Sequence, residues 1–229
     1  MAVGDCMRDS LKADPARRAW LTHCSALLMW MTLPVPLPVH AQGTKRTLLV
    51  LGDSLSAEYG LARGSGWVAL LERRLAQHKL LFSVANGSIS GDTTSGGRSR
   101  LPALLKQHRP SVVIIELGGN DALRGLPLTM TQSNLAEMTR AAKAAGARVL
   151  IAGMQVPPNY GRKYGEDFAA LFATVAKAEA VALVPFLLKG VADGPAAEAM
   201  FQPDRIHPKA QAHPRMLENV WPVLRPLLN

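Results

Sequence analysis

Short apolar runs alternate along this chain with longer stretches in which apolar residues recur every three or four positions. The short runs are Thr47–Leu51, Leu80–Ala85, Val112–Leu117, Arg148–Met154 and Ala182–Val184, each of strand length. Between them, Trp67–His78, Gly97–Gln107, Gln132–Ala145 and Glu166–Glu179 carry the helical period. Leu101, Leu104 and Leu105 mark the inner face of the second helical stretch, and Leu135 and Met138 that of the third. A last helix is expected from about Lys209 to Leu227, kinked or interrupted by Pro214, Pro222 and Pro226. The run "VVIIEL" (Val112–Leu117) has the continuous apolar character of a strand covered on both faces. Regular strand–helix alternation predicts a parallel sheet with right-handed crossovers, an α/β fold built as a three-layer α/β/α sandwich.

In such a sheet, ligands bind beyond the carboxyl ends of the strands. The first strand runs into Gly52-Asp53-Ser54 within "TLLVLGDSLSAEYG", the second into "NGSISGDTT", and the third into "GGNDALRG". All three exits are rich in small and polar groups, and the topology directs them to one crevice.

Composition narrows the setting. With 229 residues, 48% apolar and 19% charged, the chain is long enough for one large domain with its own core. The formal net charge is +9, but basic residues form no long run and are little interleaved with aromatics, so no nucleic-acid partner is expected. The basic balance permits peripheral contact with an anionic membrane surface. At the N-terminus, Arg17 and Arg18 precede the apolar stretch "ALLMWMTL" and a Pro-rich segment ending "VHAQ". Val39 and Ala41 fit the small-residue rule of a secretory signal, which places cleavage after Ala41. The apolar stretch is too short to span a bilayer. The long polar segment ahead of it admits a translation start at Met7. The expectation is a cleaved signal peptide over 1–41, a single domain over 42–229, and a periplasmic or secreted protein. Cys6 and Cys24 both fall in the removed segment, which excludes thiol nucleophiles, thiolate metal sites and disulfides from the mature protein.

A serine nucleophile requires a base, and the base requires an orienting partner. The histidines beyond the signal segment are His78, His108, His207 and His213. The first two fall at the C-terminal ends of helical stretches, where a surface capping role suffices, and His213 is expected on the surface of the last helix. His207 stands in "PDRIHP" (Pro203–Pro208), three residues after Asp204. At that spacing Asp204 can accept a hydrogen bond from His207 Nδ1–H and leave Nε2 free for a serine; the same spacing also serves as a plain turn cap. An oxyanion requires donors as well. Gly91 offers an unobstructed backbone N–H, Asn120 a side-chain amide, and Ser54 its own N–H, although each alone would also fit a turn.

Four blocks, "GDSLS", "ISGDT", "GGND" and "DxxHP", occur here in that order, and over 47–229 the chain resembles the SGNH (GDSL) hydrolases. The longer stretches "SGDTTSGGRSRLPALLKQHRP", "ELGGNDALRGLP" and "PPNYGRKY" resemble bacterial periplasmic acyl-esterases of the arylesterase, thioesterase I and lysophospholipase type. The resemblance implies a flavodoxin-like five-stranded parallel sheet and a serine esterase that needs no cofactor or metal. It implies Ser54 as nucleophile, His207 as base and Asp204 as its partner. The Ser54 N–H, Gly91 and Asn120 would form the oxyanion hole. No G-x-S-x-G elbow is present, because Ser56 stands where that pattern needs glycine.

Asp53 is expected to hold its own loop, Glu58 to be a solvated residue of the first helical turn, and Arg205 to meet anionic substrates or face water. Ser56 has no evident partner. Leu123, Leu126, Pro157 and Tyr160, after the third and fourth strands, are the candidate walls of an acyl pocket, or else pack loop against core. The expected substrate is a small-molecule acyl ester, thioester or lysophospholipid, cleaved by a monomer. Two alternatives stand beside this: a carbohydrate O-acetylesterase with the same catalytic set, and a non-catalytic lipid- or glycan-binding module.

Overall fold

A computed structural model describes residues 44–229. The expected signal peptide, its cleavage site and both cysteines lie outside the described residues. The strands are β1 (Arg46–Gly52), β2 (Phe82–Asn86), β3 (Val112–Glu116), β4 (Arg148–Ala152) and β5 (Ala182–Val184). They form one parallel sheet in the order β2-β1-β3-β4-β5. β1 and β3 pair from Leu48 with Val112 to Gly52 with Glu116, and every residue of β3 is buried. The direction of strand addition reverses at β1, and it is beside β1 that such sheets open a crevice for ligands.

The helices are α1 (Trp67–Gln77), α2 (Thr94–His108), α3 (Gly119–Leu123), α4 (Leu128–Ala144), α5 (Arg162–Glu179), α6 (Ala197–Met200) and α7 (His213–Leu224). α1 packs with α7 on one face of the sheet, and α2, α4 and α5 pack in sequence on the other. The core runs through both layers, with Leu48–Leu51, Val112–Ile115 and Leu150–Ala152 between Trp67, Leu71 and Val220 and the inner residues of α2, α4 and α5.

Differences from the sequence-based expectation fall at element ends. α2, α4 and α5 begin three or four residues earlier than their apolar periodicity shows; α2 opens on Thr94-Ser95-Gly96 and α5 on Arg162-Lys163, while Leu128 and Met130 of α4 are only partly buried. Thr93 caps α2 by accepting the Gly96 N–H, and Pro127 precedes α4. α3 and α6, of five and four residues, are too short to display a helical period. The C-terminal stretch is interrupted as its prolines require. A 3₁₀ turn (Ala210–Ala212) leads into α7, Pro214 occupies the first turn of α7, and a second 3₁₀ turn (Arg225–Leu228) closes the chain.

Candidate active site

Ser54 lies two residues beyond the end of β1, the strand between β2 and β3. The chain there does not enter a helix; residues 54–60 form successive turns, with the Asp53 carbonyl accepting from Ala57 N–H and the Ser54 carbonyl from Tyr59 N–H. Asp204 and His207 come from the loop ahead of α7. An antiparallel bridge between Phe201 and Pro208 closes that loop. Gln202 clamps it onto the segment that follows Ser54, donating from Nε2 to the carbonyls of Tyr59 (3.0 Å) and Pro208 (3.2 Å).

This clamp brings three predicted side chains into line. Ser54 Oγ lies 2.9 Å from His207 Nε2, and His207 Nδ1 lies 2.7 Å from Asp204 Oδ2. The other Asp204 oxygen accepts the N–H groups of Ile206 (2.9 Å) and His207 (3.0 Å). Partial desolvation works against the Asp204 charge. The backbone N–H and the ring of His207, with the Ile206 N–H, outweigh it and hold the carboxyl at about 2. A carboxylate is acceptor-only, so Nδ1 carries the proton and Nε2 presents its lone pair to Ser54. Tyr59 lies against the imidazole, ring centroids 4.2 Å apart.

Asp53 sits behind Ser54 and is buried. Its Oδ1 accepts the Leu55 N–H at 3.0 Å, the loop-holding bond expected of it, and its Oδ2 accepts Asn120 Nδ2–H, also at 3.0 Å. Burial raises the Asp53 carboxyl to about 6, against the Leu55 N–H, the His207 charge and the Asn120 amide, which lower it. Ionised at neutral pH, Asp53 fixes which end of the Asn120 amide faces it. One N–H of Asn120 is used there and the second remains for a ligand. Gly91 has φ +78°, a left-handed conformation that glycine adopts without strain, and its carbonyl accepts Arg124 Nη2–H at 2.7 Å. Asp121 ties these exits together. It accepts the Thr94 N–H at 2.8 Å, and also the hydroxyls of Thr94 and Thr131.

Residues 50–215 match the GDSL-like lipase/acylhydrolase family. The chain belongs to this family. It is 54% identical to esterase TesA of Pseudomonas aeruginosa over 82% of this chain and 92% of that one. It is 45% identical to the thioesterase 1/protease 1/lysophospholipase L1 of Escherichia coli K12, over 80% and 85% respectively. The crystal structure of TesA superposes with a TM-score of 0.77 at 54% identity, covering 80% of this chain and 99% of that one. This GDSL acylhydrolase is thus an enzyme of ester-bond hydrolysis whose substrates are small-molecule esters.

A cavity of about 780 Å³ opens from Ser54 and His207. Leu123, after β3, and Met154, Val156 and Pro157, after β4, form part of its lining. The exit of β5 and the loop that carries Asp204 and His207 add Phe186, Leu188, Phe201 and Ile206, a side not anticipated from the sequence. Two of the four candidate wall residues lie outside the lining. The Leu126 N–H closes the turn after α3 on the Asp121 carbonyl, and Tyr160 stacks on Tyr164 with centroids 6.3 Å apart. Among the described residues, no group of three His, Cys, Asp or Glu side chains is arranged to hold a metal ion.

Three further expectations need correction. His213 is buried rather than on the surface, and its Nδ1 accepts the Trp67 N–H at 3.0 Å. Glu58, at φ +60°, is not a solvated helix residue; it accepts the N–H groups of Gly64 (3.0 Å) and Gly66 (2.7 Å) and so closes the loop before α1. Ser56 is buried and partnered by Glu116, Trp67 and Asn86. Arg205 is exposed in an ion pair with Glu198 at 2.9 Å, and both residues line the cavity, an arrangement that fits either of its expected roles.

Proposed function

We propose that this GDSL acylhydrolase cleaves carboxylic esters and thioesters of apolar acyl chains through an acyl-enzyme on Ser54. The observation that carries the proposal is the Ser54–His207–Asp204 relay, at 2.9 Å and 2.7 Å, at the mouth of an apolar cavity. Ser54 Oγ attacks the acyl carbonyl while His207 Nε2 takes its proton, and the carbonyl oxygen becomes an oxyanion. The donors are the Ser54 and Gly91 N–H groups and the second Asn120 amide hydrogen. His207 then protonates the leaving alcohol or thiol as the bond to the carbonyl carbon breaks. Water enters, gives a proton to His207, and attacks the acyl-enzyme; Ser54 recovers its proton as the acid departs. Asp204 stays ionised throughout and stabilises the imidazolium. The oxyanion donors read the carbonyl alone, so alkoxide and thiolate leaving groups are both served.

The names of the relatives, an esterase and a thioesterase/lysophospholipase, support the acyl substrate class. The apolar side chains at Leu123, Val156, Phe186 and Leu188 favour it over an O-acetylesterase, whose acyl group carries only a methyl on its carbonyl. The chain acts as a monomer exported to the periplasm, and it meets amphiphilic substrates at anionic lipid surfaces. The decisive experiment is a turnover profile across p-nitrophenyl esters from acetyl to long-chain, acyl-CoA thioesters and lysophospholipids, with Ser54→Ala as the blank. Turnover should rise beyond acetyl and vanish in the blank. Activity confined to acetyl esters would move the enzyme to the carbohydrate-esterase reading, and turnover in the blank would overturn Ser54 as nucleophile.

A further inference from the structure

Glu116 closes β3 and is completely buried, in a strand where every other residue is apolar. One of its oxygens, Oε2, accepts the Ser56 hydroxyl at 2.7 Å and the Asp53 N–H at 3.3 Å. These two groups flank Ser54 in the chain, so a single atom ties down the backbone on both sides of the nucleophile. The hydrogen-bond direction is fixed from the far end. Trp67 Nε1 can only donate, and it donates to Ser56 Oγ at 3.2 Å, which leaves the serine to pass its own hydrogen to Glu116. The Ser56 carbonyl is held separately by Asn86 Nδ2–H at 2.8 Å. Gly52 is the complement of this arrangement. A Cβ there would come within 2.7 Å of Glu116 Oε2 and 2.8 Å of Ser56 Oγ, so the chain gives up a side chain to admit the carboxyl.

We propose that Glu116 is a positioning residue for Ser54, a buried acid whose Oε2 sets the turn that aims the nucleophile's Oγ and N–H. It does not touch the reacting atoms: its partners are Asp53 and Ser56, and it is no part of the cavity lining. Full burial pushes its carboxyl well above the ordinary range, and the neighbouring Asp53 carboxyl adds to this. Its Oε1 has no protein partner, so the grip is concentrated in Oε2.

This inference rests on Ser54 being the nucleophile. Glu116→Gln keeps a neutral acceptor of the same shape, whereas Glu116→Leu keeps the volume and removes the acceptor. With a soluble short-chain p-nitrophenyl ester, Glu116→Gln should stay within about threefold of wild-type kcat. Glu116→Leu should lose roughly 10- to 100-fold in kcat with KM nearly unchanged, the scale on which a misplaced reacting group is felt. Ser56→Ala, which removes one of the two anchors and leaves the carboxyl in place, should lose about three- to tenfold in kcat. It also keeps the test open if the leucine variant does not fold. Wild-type kcat in both Glu116→Leu and Ser56→Ala, per folded molecule, overturns the proposal. So does a glutamine variant as impaired as the leucine one, because charge and not acceptor geometry would then matter. If Ser54→Ala remains active, the nucleophile assignment fails by itself. If Ser54→Ala is inactive and the Glu116 variants are normal, only the positioning role fails.

Discussion

Ser54 and Ser56 stand two residues apart in one motif, and their surroundings give them different tasks. Ser54 is half-exposed and reaches His207; Ser56 is buried and spends both hydrogen-bonding directions on Trp67 and Glu116. Ser54→Ala should therefore lower ester turnover by several orders of magnitude with the melting temperature unchanged. Ser56→Ala should lower the melting temperature and cost only about three- to tenfold in kcat, a contrast that thermal unfolding and steady-state rates on the same two proteins would expose. Asn120 presents a third kind of residue. With one amide hydrogen on Asp53 and the other available to the oxyanion, Asn120→Ala should cost about 100-fold or more in kcat. A near-neutral result would reduce Asn120 to a loop-forming role. These assignments differ in how far the sequence reveals them. Asp204 and His207 are legible because they stand three residues apart, and Ser54 because it lies in the first of four blocks that occur in a recognisable order. Glu116 and Ser56 meet across 60 positions, and no local pattern shows that. The available signal was an acid inside "VVIIEL", since a carboxylate in a strand covered on both faces demands a partner.

At the scale of elements, α1 and α7 are joined where each begins. The first residue of α7, His213, accepts the N–H of Trp67, the first residue of α1. That N–H has no partner within its own helix, and its site is buried, so the imidazole does the work of a helix cap. The sequence did contain the hint. His213 lies on the same helical stripe as Met216, Leu217, Val220 and Leu224, so its side chain had to point inward. Burial lowers the His213 pKa below 6.5, against the Pro208 backbone and the Glu58 charge. The unfolded chain therefore binds the proton more readily. The stabilisation is fully present above about pH 6.5 and is lost as pH falls through the lower folded-state value. His213→Phe fills the site without an acceptor or a titrating group. At pH 8 it should be about 1–3 kcal/mol less stable than wild type, the usual cost of an orphaned buried N–H. Denaturant titrations across pH should show this difference narrowing below about 6.5; a difference independent of pH would remove the imidazole from the linkage. The inner strands β1, β3 and β4 were the easier part to read, because burial on both faces leaves an unbroken apolar run, whereas α3 and α6 are too short for any period to register.

Over the whole molecule, exposed apolar surface is unevenly placed. Among the described residues, the exposed large apolar side chains are Tyr59, Leu81, Ile89, Leu123 and Ile206. All except Leu81 belong to segments at the carboxyl edge of the sheet: Tyr59 follows β1, Ile89 follows β2, Leu123 follows β3, and Ile206 lies within the Asp204–His207 loop. Leu81 precedes β2, at the opposite edge. A substrate-bearing lipid surface approached from the carboxyl edge would meet these side chains first, with the cavity mouth between them, while the net charge of +9 over the full chain favours anionic headgroups. Partial burial of one isoleucine contributes about 1 kcal/mol, or about a fivefold change in partitioning. Ile89 is the informative position because it stands at this edge without lining the cavity. Ile89→Asp should weaken co-sedimentation with vesicles containing phosphatidylglycerol by fivefold or more and leave turnover of a soluble short-chain ester unchanged. Leu81→Asp, at the far edge, should alter neither. Wild-type binding to these vesicles should weaken with added salt and be weaker on purely zwitterionic ones. Equal effects of the two substitutions would mean that the carboxyl edge is not the face that meets lipid, and the acyl chain would then have to reach Ser54 from solution.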